Sequence, residues 1–483
     1  MGIDQYQLFI DGAWRESHGG ATFESIDPAT NEPLAEVALG GKEDVDAAVD
    51  AARAALEGME WGQLDGAARG RLLRRMADLI RERADELARL ESLDNGKTLR
   101  EARGDVGYVA WTWEYFAGLA DKIEGKTIPV PGARFDYTRV EPLGVTAHIV
   151  PWNYPLVLGS RGIAPALAAG NTAVVKPSSS APLTNLKLAE LAKEAGLPDG
   201  VYNVVPGSGR ETGQTLASHA GLDSITFTGS VDTGRAIMRA AAEHIVPVIL
   251  ELGGKCPNVV LEDADVARAQ RGALRGIFTN AGQMCWAGSR LLLPASAQET
   301  FLKEFRTKAE GLVVGPGSAP DSQMGPLVSP AQEEQVLRYV EIGQREGATL
   351  LAGGEKVEEG DLAKGNFVRP TVFTDVTSDM TIAKEEIFGP VLSVLTFEDE
   401  EEAIQIANDT GFGLCAGVWT QNLARAHRMA ASLQAGIVSV NEFPITFPQT
   451  PFGGYKESGI GREQGLDAVY HYSRVKNVLI NLL

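Results

Sequence analysis

The residue types best suited to covalent chemistry fall in two stretches near the middle of the chain. In F-T-N-A-G-Q-M-C-W-A-G-S-R, residues 278–290, Cys285 offers a thiol beside the polar Asn280 and Gln283. Gly282 and Gly288 permit tight turns on either side, and the apolar run Leu291, Leu292, Leu293 is fit to anchor the segment in a core. A lone cysteine is more often a small buried hydrophobe than a nucleophile, and local features alone leave that reading ahead. The balance changes with V-I-L-E-L-G-G-K upstream, where Glu251 interrupts an apolar run just before two glycines. A carboxylate at the end of a buried strand is costly, and general-base work is one reason to keep it there.

Five further motifs stand in order along the chain: P-W-N-Y-P at 151–155, A-L-A-A-G-N-T-A-V-V-K-P at 166–177, F-T-G-S at 227–230, E-E-I-F-G-P-V at 385–391 and P-F-G-G-Y-K-E-S-G-I-G-R-E at 451–463. Together with E-L-G-G-K and G-Q-x-C-x-A-G-S-R they cover nearly the whole chain. The set resembles the signatures of the aldehyde dehydrogenase superfamily, NAD(P)-dependent enzymes that oxidise aldehydes to carboxylic acids. The resemblance implies an α/β aldehyde dehydrogenase-like fold. A Rossmann-type dinucleotide-binding domain is expected from residues 1–122 and 144–252, and an α/β catalytic domain from 253–460. Residues 123–143 and 461–483 would form a β oligomerisation arm.

The resemblance also implies a mechanism. Cys285 attacks the aldehyde carbon, and the Asn153 side-chain amide and the Cys285 backbone N–H hold the developing oxyanion. The thiohemiacetal gives a hydride to the nicotinamide, leaving a thioester that water, activated by Glu251, hydrolyses. An unperturbed thiol has a pKa of about 8.5, so Cys285 needs help from Glu251 and the cationic nicotinamide to become a thiolate. Coenzyme A-acylating relatives lack this glutamate, so Glu251 points to the hydrolytic kind.

For the cofactor, the strand S-I-T-F-T runs into Gly229, and a helix opens at Ser230 with Gly234 in its first turns. Such a turn aims backbone N–H groups at a pyrophosphate, although the spacing is not the usual G-x-G-x-x-G. Lys176 resembles the family's ribose-contacting lysine, and Trp152 and Leu252 flank the same site. Three residues after Lys176, where NAD-preferring members often carry glutamate, this chain has Ser179. A serine can donate to a 2′-phosphate that a carboxylate would repel, so NADP is expected to be accepted beside NAD. The competing reading makes Ser179 a helix cap. Glu386 matches the residue that binds the nicotinamide ribose, with Phe388 near the ring; the alternative is a surface charge.

The substrate is harder to read. Asn153, Val157 and Arg161 recur at four-residue spacing and would share a helix face, with Tyr154 beside them. Arg161 could clamp a substrate carboxylate, as in succinate semialdehyde dehydrogenases, or form a structural ion pair. Trp286 and the segment 442–447, Phe443 included, are expected to shape a tunnel suited to apolar or aromatic aldehydes.

The rest of the chain must position these groups. At 483 residues it exceeds one core, and two or three domains are expected. With 44 basic against 64 acidic residues the net charge is −20, which argues against nucleic acid or anionic membrane as partners. No metal is expected. The start lacks a leader pattern, no apolar stretch reaches spanning length, and the three cysteines show no C-x-x-C spacing, so a reducing, cytoplasmic address is expected.

Residues 8–16 read as two short strands about Asp11-Gly12. Stretches 42–58 and 67–95 read as surface helices, and 101–120 as a helix with an aromatic stripe, Tyr108, Trp111, Trp113, Tyr115 and Phe116, which is core packing or one wall of the tunnel. From 145 to 251 strands alternate with helices at 181–195, 210–219 and 231–243, implying a parallel sheet. Further strands near 257–261, 289–293, 391–397 and 436–440 suffice for a second one. The proline-punctuated 124–145 and the apolar tail V-K-N-V-L-I-N-L-L imply a partner subunit, in a homodimer or homotetramer.

Overall fold

In the computed structural model, which describes residues 4–483, the alternating segments after residue 144 build a parallel sheet. The first three residues of the expected dinucleotide-binding segment, and of the start read for a leader, lie outside the described residues. Five parallel strands lie in the order Val248–Glu251, Ser224–Thr228, Val145–Ile149, Thr172–Lys176, Tyr202–Val204. The chain starts on the middle strand, steps outward twice, then crosses to the other side. That reversal falls between Val145–Ile149 and Ser224–Thr228. In open parallel sheets, ligands bind beyond the carboxyl ends of the strands at such a switch point. Leu8–Ile10 extends one edge, and Ala13–Arg15 returns from it through Asp11 and Gly12, both at positive φ (54° and 69°), as an Asp-Gly hairpin requires.

The second sheet has seven strands, in the order Thr349–Ala352, Thr371–Thr374, Val391–Phe397, Arg290–Pro294, Pro257–Val260, Cys415–Trp419, Ile437–Val440. All but the first run parallel. Three of these strands are absent from the sequence reading. Two have only four residues, and C-A-G-V-W is diluted by small side chains. Pro257–Val260 and Arg290–Pro294 are buried on both faces, which explains why they read as apolar runs rather than alternating ones.

Helices cover these sheets. The expected helix over 42–58 is Lys42–Glu57, while the periodic stretch 67–95 splits at Arg83 into Gly66–Glu82 and Ala84–Asn95. The expected helix at 210–219 is a π turn, Gly209–Gly213, followed by one short turn, Gln214–Ala217. The aromatic helix runs Leu99–Leu119, and its stripe divides: Trp113 and Phe116 are fully buried in the core, whereas Tyr108 lines a cavity. Deep burial of this kind makes either core aromatic worth about 3–5 kcal/mol against alanine. Arg134–Pro142 leaves the body as a strand and pairs along its whole length with the C-terminal Ser473–Asn481. Among the described residues no helix is long and apolar enough to cross a membrane.

Candidate active site

The two sheets meet at the segment holding Cys285. Immediately before it the backbone makes a left-handed run, Asn280 (φ 48°), Ala281 (φ 52°) and Gly282 (φ 74°). Such conformations cost energy in non-glycine residues and persist only where the surroundings dictate them. Here the surroundings are specific. The Asn280 N–H donates to Glu101 Oε1 at 3.0 Å, while the other oxygen of that carboxylate accepts the Thr98 N–H at 2.9 Å and completes the capping box of the helix Leu99–Leu119. One side chain therefore starts a helix and holds the turn that presents the thiol. A Cβ on Gly282 would lie 2.1 Å from the Gly389 carbonyl oxygen, so this position tolerates no side chain.

Asn153 sits at the carboxyl end of Val145–Ile149, two residues before the helix Pro155–Ala168, so it precedes the helix rather than riding on it. Its amide is buried and donates to the Gln283 carbonyl at 3.1 Å, leaving a second N–H of that amide for another acceptor. The Cys285 N–H has no acceptor within the described protein. Asn95 Nδ2 donates to the Trp152 carbonyl at 2.7 Å and the Asn280 amide donates to the Asn153 carbonyl at 2.9 Å, fixing the loop from both sides.

Glu251 ends the strand Val248–Glu251, is 1% exposed, and neither carboxylate oxygen has a hydrogen-bond donor. Burial pushes its pKa well above the ordinary carboxylate range, with Arg161 pulling the other way. Burial also pushes the Cys285 thiol well up, and the Glu251 charge adds to that. A buried carboxylate without a donor is expensive, and its environment makes it a ready proton acceptor once ionised.

Arg161 is buried with its Nε 2.5 Å from Glu463 Oε2 and its guanidinium stacked 4.1 Å from the Phe452 ring centre. Burial works against its charge, but Glu463 and Glu251 outweigh it. Glu463 closes the C-terminal motif, and its pairing with Arg161 is not readable from the sequence because the two residues lie far apart in the chain.

Asn153, Val157 and Arg161 do line one cavity, of about 830 Å³, together with Cys285, Tyr154 and Trp286. Trp286 meets Phe452 edge to face at 5.6 Å. Tyr108 and Gln464 join through the phenol and the amide oxygen, and the amide nitrogen donates to Thr446 Oγ1 at 2.9 Å, so the loop after Ile437–Val440 is pinned to the aromatic helix. Phe443 is a correction. It is 2% exposed and packs in the core, close against Gly276, Gly288 and Gly417, whose bare backbones leave room for the ring. Its neighbours Pro444, Ile445 and Thr446 face the cavity instead.

The residues expected to hold the cofactor come from strand ends of the first sheet and from the loop before Val391–Phe397 of the second. Ser230 caps the helix Val231–Ala242, its Oγ accepting the Thr233 N–H at 3.4 Å, and Gly229 precedes it. A Cβ on Gly229 would meet the Phe227 ring at 2.4 Å, and one on Gly234 would meet Leu252 at 2.7 Å, so both glycines are dictated by close packing. Lys176 ends its strand 4% exposed, and burial lowers its pKa to about 8. Ser179 does not cap a helix: the next one, Leu183–Glu194, has Pro182 at its cap, and the Leu183 N–H is satisfied by Asp94 at 2.8 Å. Glu386 accepts the Gly254 N–H at 2.9 Å, and burial raises its pKa to about 7. Trp152 and Phe388 meet edge to face at 5.3 Å, bringing the two sheets' loops together. A helix N-terminus, a buried cation without a carboxylate partner and a carboxylate with a spare oxygen fit a dinucleotide's pyrophosphate and two riboses.

Comparison with known proteins gives the same answer over the full length. A profile described as the aldehyde dehydrogenase family matches residues 14–478. A hydroxyisobutyraldehyde dehydrogenase of Mycolicibacterium austroafricanum is 47% identical over 475 residues, 98% of this chain and 94% of that protein. The NAD+ complex of an aldehyde dehydrogenase from Bacillus cereus is 48% identical with a TM-score of 0.98, covering 99% and 97% of the two chains. A betaine aldehyde dehydrogenase from Staphylococcus aureus, also with NAD+, is 42% identical with a TM-score of 0.97 over 98% and 94%. On a profile match over nearly the whole chain and relatives 47–48% identical over 98–99% of it, the chain belongs to the aldehyde dehydrogenase family.

Proposed function

We propose that this enzyme oxidises an aldehyde to the free carboxylic acid with NAD+ by way of a thioester on Cys285. The observation that carries the reading is the convergence on one cavity of a thiol, an amide with a spare N–H and an unpartnered backbone N–H, with the charge of the donor-free, buried Glu251 felt at the thiol. Cys285 Sγ adds to the carbonyl carbon. The oxygen's new charge is met by the Asn153 amide and the Cys285 N–H, donors that need not reorganise. A bound NAD+, held by Ser230, Lys176 and Glu386, would supply the hydride acceptor for this carbon. Glu251 then takes a proton from water, whose oxygen attacks the thioester carbon and releases the thiol.

The relatives are named for different aldehydes, hydroxyisobutyraldehyde and betaine aldehyde, so identity near this level does not fix the substrate. Arg161, held by Glu463 and Phe452, belongs with the scaffold in this reading and not with the carboxylate of a short semialdehyde. NADP+ is accepted as well: Ser179 makes no hydrogen bond to the described protein, and Lys176 adds positive charge nearby. The exposed apolar residues of the arm, Phe135, Val475 and Leu479, support a homodimer or homotetramer built on it.

Initial rates with both cofactors and a panel of simple aldehydes test this. Reduced cofactor should form with both, and Cys285→Ala should abolish it. Turnover surviving that substitution overturns the thioester route, and a kcat/KM ratio strongly favouring NAD+ overturns the assignment of Ser179.

A further inference from the structure

The cavity leading to Cys285 opens through three arginines. Arg271 and Arg275 stand one turn apart on the helix Val266–Phe278, and Arg100 lies on the first turn of Leu99–Leu119; all three are exposed and line the cavity. Among the described residues none has a carboxylate partner within 4.0 Å. On a chain whose net charge is −20, a basic rim without partners is not the default surface.

The acids near the rim are already engaged. Asp105 takes Lys97 Nζ at 2.5 Å, and Glu101 accepts from Thr98 and Asn280. The arginines' charge is thus cancelled by no ion pair of their own. It is also felt inside: burial, Asp105 and Glu101 push the Tyr154 phenol up, and Arg275 opposes them.

The same cavity is lined by the apolar Val157, Leu274, Phe278, Trp286 and Leu312. Along the helix axis Arg275 and Arg271 lie about 6 and about 12 Å further out than Thr279, at about 1.5 Å per residue. An anion held at the rim therefore needs a chain of several methylenes to place its other end at Cys285.

We propose that the rim of Arg100, Arg271 and Arg275 receives the carboxylate at the far end of an aldehyde chain, making medium-length ω-carboxylated aldehydes preferred over methyl-terminated ones. This rests on the reading that aldehydes reach Cys285 through this tunnel. It is separate from the buried Arg161, whose guanidinium is held by Glu463 and Phe452.

The test compares kcat/KM for an ω-carboxylated aldehyde and the methyl-terminated aldehyde of equal length, in the full-length enzyme and in an Arg100→Gln/Arg271→Gln/Arg275→Gln variant, at low and high salt. The carboxylate-to-methyl ratio should favour the carboxylate in the native enzyme. It should fall about tenfold in the variant, through KM and not kcat, as expected for the sum of three solvent-exposed charge contacts. Salt should lower it in the native enzyme, and an all-lysine variant should retain most of it. A native ratio near one, a ratio unmoved by the substitutions, or a loss carried by kcat overturns the proposal while leaving the dehydrogenase reading intact. Failure of the native enzyme to oxidise either aldehyde would sink both.

Discussion

The two sheets contribute to the active site from opposite ends of their strands. From the first come Asn153, Gly229, Lys176 and Glu251, at or just beyond the carboxyl ends of Val145–Ile149, Ser224–Thr228, Thr172–Lys176 and Val248–Glu251. From the second come Cys285, before Arg290–Pro294, and Glu386, before Val391–Phe397. The first arrangement follows a general rule: a switch point in a parallel sheet makes a crevice at its carboxyl edge. The second follows no such rule. The amino ends of the second sheet's strands meet the carboxyl end of Val248–Glu251, where Gly254 touches both Glu386 and the Cys285 carbonyl.

The division can be attacked from each side. Glu251→Gln removes the first sheet's base and should leave a burst of reduced cofactor followed by turnover slowed by about 10² to 10⁴, the range for general-base loss. If no burst appears, Glu251 acts before hydride transfer and the two sheets do not share the steps in this way. Glu463→Gln leaves Arg161 buried without its partner and should cost about 3–5 kcal/mol in chemical unfolding. A loss below about 1 kcal/mol would mean that water in the tunnel solvates the guanidinium, which would return Arg161 to the substrate side.

Asn153→Ala removes one of two oxyanion donors and should lower kcat by about 10² to 10³, with the burst lost in proportion. A near-normal kcat would leave the oxyanion to the Cys285 N–H and give the step to the second sheet alone. The smallest effect is on pH. Glu251 must be ionised to accept a proton, and burial raises its pKa, so the hydrolytic rate should fall as pH drops through that raised value. The acid limb of kcat should accordingly lie above the ordinary carboxylate range of about 4, and should vanish in Glu251→Gln. A limb at the ordinary value would show a hydrated, not a dry, Glu251.

How much was legible depended on distance along the chain. Cys285, Glu251 and Asn153 stand in local motifs and are legible there, as are the longer apolar strands, whereas Thr371–Thr374 and Cys415–Trp419 are too short or too rich in small residues to read. Arg161 was seen and Glu463 was not given to it, because an ion pair between helix Pro155–Ala168 and the C-terminal segment leaves no spacing to detect. Phe443 was taken for a tunnel residue from its type alone. What places it in the core is a set of three glycines from separate elements, a complementarity that exists only after folding. Ser179 was offered a capping role that the structure gives no helix to fill.

The close glycine contacts around the thiol have a wider consequence. A Cβ on Gly254 would meet the Cys285 carbonyl at 2.1 Å, one on Gly253 would meet Glu386 at 2.3 Å, and Gly282 is pressed on Gly389. The Cys285 segment, the loop after Val248–Glu251 and the Glu386 loop are thereby keyed into a single block in which none can shift alone. The tunnel wall, built from side chains on the outer helices and the 444–446 loop, stands outside that block. Substitutions in the wall can therefore change which aldehyde fits while Cys285 and its neighbours keep their places.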